Sequence, residues 1–364
     1  MNTGRDVIVV GGGVIGLLTA RELRAHGLSV TLLERDRIGQ ASSQAGGGIL
    51  SPIPPWEAPT AVTALASESA ALFPQLAASL YDSTDVDIEY LKCGVLLLAA
   101  EINSVVQDWA RRSAQVMETV DAAQLHDMEP RLHHHWSSGL LLPNLAQLRN
   151  PRFTRALHQD LLQSGVTVLE HTPATKILDE ADRVTGVQTS GGNLNCSSVV
   201  VATGAWTSAL LGQWSVTSIE PVRGQMLWYQ LAPGTFSRIV VEGDQYLIPR
   251  RDGVCLVGST VEHVGFEDTT TPEATEMLAT FAARLSPDFA ECRPAGQWSG
   301  LRPGIADGIP VISGHPRLSG LYINAGHFRN GINLAPASAR LVSELVLGRK
   351  TSLDSGPYCA ENRL

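Results

Sequence analysis

The feature that most constrains this chain is Gly11-Gly12-Gly13-Val14-Ile15-Gly16. It fits G-x-G-x-x-G, a pattern of low specificity by itself, but it stands in the context the pattern requires. Residues 6–10 before it form an apolar run, read as a buried parallel strand. After it, residues 14–26 have helical periodicity in Val14, Leu17, Leu18 and Leu23, stopped by Gly27. Residues 29–33 read as a second strand, which completes a strand–helix–strand unit. In such a unit Gly11, Gly13 and Gly16 allow a tight turn, close backbone approach to a pyrophosphate, and close helix–strand packing. The helix start, with Val14 and Ile15, then offers free N–H groups to the phosphates.

Glu34 ends the second strand. A carboxylate there accepts hydrogen bonds from ribose hydroxyls and repels a 2′-phosphate, so NADP is disfavoured. Two features favour FAD over NAD. A small-residue loop, Ser42-Ser43-Gln44-Ala45-Gly46-Gly47-Gly48, stands where a simple NAD dehydrogenase would continue with a helix. Further on, Val199-Val200-Val201-Ala202-Thr203-Gly204-Ala205-Trp206 reads as a strand ending in Ala-Thr-Gly, similar to the second nucleotide-side motif of glutathione-reductase-type flavoproteins. Standing alone, that segment would be an ordinary strand and turn.

The chain has 364 residues, 44% hydrophobic and 17% charged, enough for two domains with real cores. Its net charge of −9, without a basic block, argues against nucleic acid or anionic lipid as a partner. No run approaches the length of a membrane helix, and the glycines interrupt the apolar N-terminus that could pass for a signal peptide; a cytoplasmic protein is expected. Five cysteines, scattered and odd in number, have no metal-ligand or redox spacing and read as free thiols. His133-His134-His135 reads as a solvated loop, because adjacent histidines do not project to one point; no metal is expected.

Residues 60–80, 103–117, 150–162, 272–285 and 333–347 read as helices, the third opened by Asn150 as cap and Pro151 in the first turn. Strands are expected at 94–100, 166–169, 184–189, 198–202, 222–231, 239–242, 246–249, 254–257 and 321–324. The order implies interleaved domains.

Taken with Pro221-Val222-Arg223-Gly224-Gln225, Tyr246-Leu247-Ile248-Pro249-Arg250, Gly300-Leu301-Arg302-Pro303-Gly304 and Gly326-His327-Phe328-Arg329-Asn330-Gly331-Ile332, these motifs resemble the D-amino-acid oxidase family over nearly the whole chain. Within that family the likeness is to the bacterial glycine oxidases of thiamine biosynthesis. It implies an α/β (α+β) fold: a glutathione-reductase-type FAD-binding Rossmann domain (1–80, 146–215, 301–364) interleaved with a substrate domain on a large mixed β-sheet (81–145, 216–300). By resemblance, non-covalent FAD is held by Gly11, Gly13, Val14, Ile15, Gly16, Glu34, Arg35, Ser42, Ser43, Gly47, Gly48, Ile49, Ala174 and Gly204. The segment His327, Phe328, Arg329, Asn330, Gly331, Ile332 and Asn333 is implied to contact it too.

An amino-acid oxidase must also hold a carboxylate, and the planar fork of an arginine suits that. The resemblance makes Arg302, in an apolar, turn-rich context, the anchor. It gives Tyr246 as a second donor to the same carboxylate and Arg329 as a substrate contact, through side chain or backbone carbonyl. From the residues alone Tyr246 would read as a core or sheet-face tyrosine. His263 and His327 could be offered as bases, but a hydride transfer needs only a neutral amine, so none is assigned. The expected activity is oxidation of glycine, sarcosine or a small D-amino acid by oxygen, in a homo-oligomer. The alternatives are a dehydrogenase passing electrons to a quinone or protein, and a non-catalytic flavoprotein. Covalent flavin is not expected, since residues 301–303 hold no cysteine.

Overall fold

A computed structural model describes residues 5–363. Two eight-stranded sheets organise the chain. In the first, strand Arg5–Val10 lies between Gly192–Val201 and Val30–Leu33, all parallel. Thr167–Leu169 extends the Val30–Leu33 side, and Leu321–Ala325 then antiparallel Val311–Gly314 extend the other. An antiparallel pair, Ala174–Glu180 and Arg183–Thr189, hangs from Gly192–Val201.

Strand Arg5–Val10 is apolar from Val7 to Val10 because both faces of that stretch are covered. Val7 and Val9 pack beneath helices Val14–Ala25, Thr60–Thr84, Asn150–Gln163 and Gly331–Val346, against Leu17, Phe73, Phe153 and Leu341. Ile8 and Val10 point the other way, toward Ile177, Val187 and Leu211.

The second sheet is mixed and runs Gly296–Gly304, Glu220–Gln230, Val254–Gly258, Gln245–Pro249, Ile239–Glu242, Val95–Leu98, Ser138–Leu142, Glu118–Asp121. Leu227, Val240, Leu247 and Val257 pack against helix Pro272–Leu285 through Leu278 and Phe281. The opposite face carries Met226, Tyr246 and Ile248.

Three expectations need correction. Gly300–Gly304 is not a turn but the end of edge strand Gly296–Gly304, paired residue for residue with Glu220–Gln230. Its glycines and proline read as a turn, yet an edge strand tolerates Pro303, and Gly300 is imposed by packing: a Cβ there would lie 2.5 Å from that of Ala45. Asn150 does not cap its helix; Arg149 occupies that place without a side-chain capping bond. Asn150 is fully buried and donates from Nδ2 to Ser43 O at 2.8 Å. Residues 42–45, read as loop, form one helical turn.

Candidate active site

The glycine turn is shaped by contact. Gly11 has φ +113°, and a Cβ on it would sit 2.4 Å from Ala202 O; one on Gly16 would sit 1.8 Å from Gly11 O. Gly16 therefore serves the close packing of helix on strand and lines neither cavity described below. The first N–H groups of a helix have no partner within it. That of Val14 is met by Ser43 Oγ at 2.9 Å, which leaves that of Ile15, at the cleft wall, for an anionic ligand. Glu34 secures the turn from the side: Oε2 accepts from Gly12 N at 2.7 Å and Oε1 from Asp36 N at 2.9 Å.

Along this turn runs a cleft with about 1520 Å³ of empty space. Gly11, Gly13, Val14, Ile15, Glu34, Arg35, Ser42, Ser43, Ala174, Gly204, His327, Phe328, Arg329, Gly331 and Ile332 all line it. Its walls also include Trp206, which the sequence reading quoted without a role. The Arg35 guanidinium carbon lies 3.6 Å from the centre of the Trp206 ring, and Phe266 stacks obliquely 5.5 Å away. Such a platform near Glu34 suits a planar aromatic base. A helix start with a free N–H group, a carboxylate bonded to the glycine turn before it and an aromatic shelf, all along one cleft, fit a dinucleotide such as FAD.

A second, smaller cavity opens beside the first. Gly47, Gly48, Ile49, Asn330 and Asn333 line this one, together with Met226, Tyr246 and Gly224. Ser42, Gly46, Arg302, Arg329 and Ile332 line both, so the two spaces meet at these residues.

The sheet register explains how Arg302 and Tyr246 come together. Arg302 pairs with Val222, Gly300 with Gly224, and Met226 and Tyr246 each pair with Gly258. Residues opposite one another share a face, so Arg302, Gly224, Met226 and Tyr246 all project from the face that meets the 42–48 loop. Gly224 leaves the space in which the Arg302 guanidinium lies, since a Cβ there would be 2.2 Å from both terminal nitrogens. Nη2 donates to Ser259 Oγ at 2.7 Å and Nη1 to Thr260 O at 2.9 Å. Burial lowers the Arg302 pKa, and Tyr246 opposes that shift. The acceptor loop is held in turn: Glu262 accepts from Arg223, from Gln225 and from the Thr260 hydroxyl. Ser42 Oγ donates to Leu301 O at 2.6 Å, which ties the loop to the Arg302 strand. Arg329 reaches Asp244 at 3.3 Å. No carboxylate or imidazole lines the second cavity among the described residues; its charged groups are two arginines.

His327 is buried, with Nε2 3.0 Å from Ser338 Oγ, and burial pushes its pKa down to about 3. It is a neutral hydrogen-bonding group at working pH. Unfolded imidazole titrates near ~6.5, so between those values the unfolded chain binds more protons. Its contribution is complete above ~6.5 and is lost as pH falls, by about 1 kcal/mol per pH unit. Urea unfolding of the apoprotein at pH 7 and pH 5 should therefore show a smaller acid loss in His327→Gln than in wild type. Equal losses would mean that the imidazole titrates normally.

Histidines 133–135 lie in a loop, where His133 and His135 face one another with ring centres 4.9 Å apart and His134 faces His126. The described residues include no group of three or more His, Cys, Asp or Glu able to hold a metal ion, and no helix long and apolar enough to cross a membrane.

Comparison with known proteins places this geometry among flavoenzymes. The family model for FAD dependent oxidoreductase (DAO) matches residues 6–345. A glycine oxidase of Pseudomonas aeruginosa is 42% identical over 360 residues, covering 98% of this chain and 99% of that protein. The bifunctional protein ThiO/ThiG of Trichormus variabilis is 31% identical over 353 residues, 95% of this chain but 53% of that one. Among solved structures, glycine oxidase from Geobacillus kaustophilus superposes with a TM-score of 0.91 at 29% identity and 98% coverage of both chains.

Proposed function

The chain belongs to the family of FAD-dependent oxidoreductases, and we propose that it is an amino-acid oxidase acting on glycine and other small primary or secondary amino acids. The observation that carries this reading is the position of Arg302, a cation lining both the dinucleotide cleft and the smaller cavity beside it.

Bound FAD would supply the two-electron acceptor and pass the electrons to oxygen. The protein supplies orientation. Arg302 is proposed to bind the substrate carboxylate, with the Tyr246 hydroxyl, which faces Arg302 and lies 4.0 Å from Met226 Sδ, as a second donor. Arg329 stands at the cofactor end of the cavity as the third substrate contact. Arg302 and Arg329, in a cavity that no carboxylate lines among the described residues, also disfavour an ammonium, so the substrate amine is held neutral and no side chain need take its proton. Ile49, Ile53, Met226 and Ile332 give the cavity apolar walls that limit water at the reacting carbon. Glycine, water and oxygen give glyoxylate, ammonia and hydrogen peroxide through an imine that hydrolyses. Following the resemblance, we assign this enzyme to thiazole formation in thiamine biosynthesis, as a cytoplasmic homo-oligomer with non-covalent flavin.

The protein should be yellow and should release free FAD on acid denaturation. Anaerobic addition of glycine, sarcosine, D-alanine and D-proline in turn should bleach it, and air should restore the colour with one peroxide per amine consumed. Bleaching by none of them would refute the reading. Reoxidation faster by a quinone than by oxygen would assign the chain to the dehydrogenases instead.

A further inference from the structure

Arg250 directly follows the strand that carries Tyr246, and its side chain is buried. All its hydrogen bonds go to neutral oxygens: Nη1 to Gln147 Oε1 at 2.6 Å and Leu148 O at 2.8 Å, Nη2 to Gly47 O at 2.8 Å. No carboxylate bonds to it among the described residues: Glu89 and Asp252, which favour its charge from a distance, are bonded to Arg149 instead. Burial and the nearby Arg149 charge lower its pKa to about 10, so it stays protonated at neutral pH. A buried cation without a counter-ion is costly. One aimed at a glycine carbonyl in the wall of a ligand cavity calls for a reason beyond packing.

Gly47 supplies that reason. It lines the smaller cavity, and a Cβ on it would lie 2.6 Å from Ile248 Cδ1 and 3.4 Å from Tyr246 Cε2. The Gly46–Gly48 stretch is thus pressed against the very strand that Arg250 follows. Behind it, Leu148 N donates to Gly48 O at 3.0 Å, Leu50 N to Ala146 O at 2.9 Å, and Asn150 Nδ2 to Ser43 O. Arg250 spans the two layers, reaching the loop through Gly47 and its backing segment through Gln147 and Leu148.

We propose that Arg250 is a positioning residue for the oxidation: by gripping the Gly47 carbonyl it fixes the Gly46–Ile49 wall against Tyr246, and so sets the spacing between a substrate held at Arg302 and the cofactor. This rests on the oxidase reading. The grip acts on the wall and not on the carboxylate anchor, so its loss slows the chemical step and spares substrate binding. A misplacement of about 1 Å can cost on the order of 10²-fold in rate.

The test compares FAD-loaded wild type, Arg250→Lys and Arg250→Met by anaerobic stopped flow, with the amine that bleaches wild type fastest. Lysine keeps the charge but cannot reach Gly47 and Gln147 together. The limiting rate of flavin reduction should fall by about tenfold or more in Arg250→Met and by less in Arg250→Lys. The amine concentration for half-saturation should stay within about threefold of wild type, a change well under 1 kcal/mol. The visible spectrum of the resting holoenzyme should shift in the same order. Limiting rates and spectra like wild type in both variants overturn the proposal, as does failure of both to retain FAD, since the arginine would then serve the fold at large. If Arg250→Met alone fails to fold, the limiting rate and spectrum of Arg250→Lys decide. If no amine bleaches wild type, the oxidase reading falls, while the resting spectra still report whether Arg250 sets the wall.

Discussion

Arg302→Ala should leave an enzyme that holds FAD but is reduced by glycine roughly 30- to several-thousand-fold more slowly at low substrate. That corresponds to about 2–5 kcal/mol for a carboxylate left without its cation in a partly desolvated site. Arg302→Lys should also be poor. The guanidinium lies flat in the space Gly224 leaves and already donates to Ser259 and Thr260, so its plane is fixed before substrate arrives. An ammonium has the charge but neither the fork nor the plane. A simple amine without a carboxylate never uses the anchor and should lose much less. The measurement is the anaerobic rate of flavin reduction for wild type and both variants with glycine and with such an amine. Wild-type reduction of Arg302→Ala by glycine, or loss of its FAD, would mean that Arg302 only braces the edge strand.

Glu34→Ala should weaken FAD binding by about two to four orders of magnitude. The carboxylate already accepts from the Gly12 and Asp36 N–H groups, one on each oxygen. Each oxygen retains a lone pair for a ribose hydroxyl, and charge-assisted bonds are worth about 1.5–3 kcal/mol each. Removing the side chain also frees the glycine turn. Glu34→Gln keeps the shape but only one acceptor, and should fall between. FAD titration of the apoproteins by flavin fluorescence checks this, and an unchanged dissociation constant in Glu34→Ala would falsify the assignment. At saturating FAD, the rate of reduction by glycine should return to near the wild-type value.

The βαβ unit was legible because its signals are local: an apolar run, a glycine turn and a periodic helix lie consecutively along the chain. The edge strand that carries Arg302 was not. Its glycines answer to partners far away in sequence, Ala45 at Gly300 and Val222 at Gly304, and without those partners they read as a turn. Asn150 has the composition of a helix cap and is used to hold Ser43. Trp206 stood in a quoted motif, but its stacking partners Arg35 and Phe266 come from two other segments. Arg250 stood in another, and no local pattern says which carbonyl a side chain will grip. Local chemistry names candidate residues; the register between distant strands decides which of them meet.

The strand order of the first sheet has a consequence for synthesis. Arg5–Val10 leaves the ribosome first, yet one of its two neighbours, Gly192–Val201, follows nearly two hundred residues later. At about 5–20 residues per second, the interval is on the order of 10–40 s. Throughout it, a strand whose last four residues are all apolar has an open edge, the situation that invites pairing with another nascent chain. The second sheet is also made in two bursts, residues 95–142 and 220–304, with strands of the first sheet between them. Heterologous production should therefore respond to slower translation and to chaperones that shield early strands. A gain in yellow, soluble protein at low temperature should exceed any gain in total chain made.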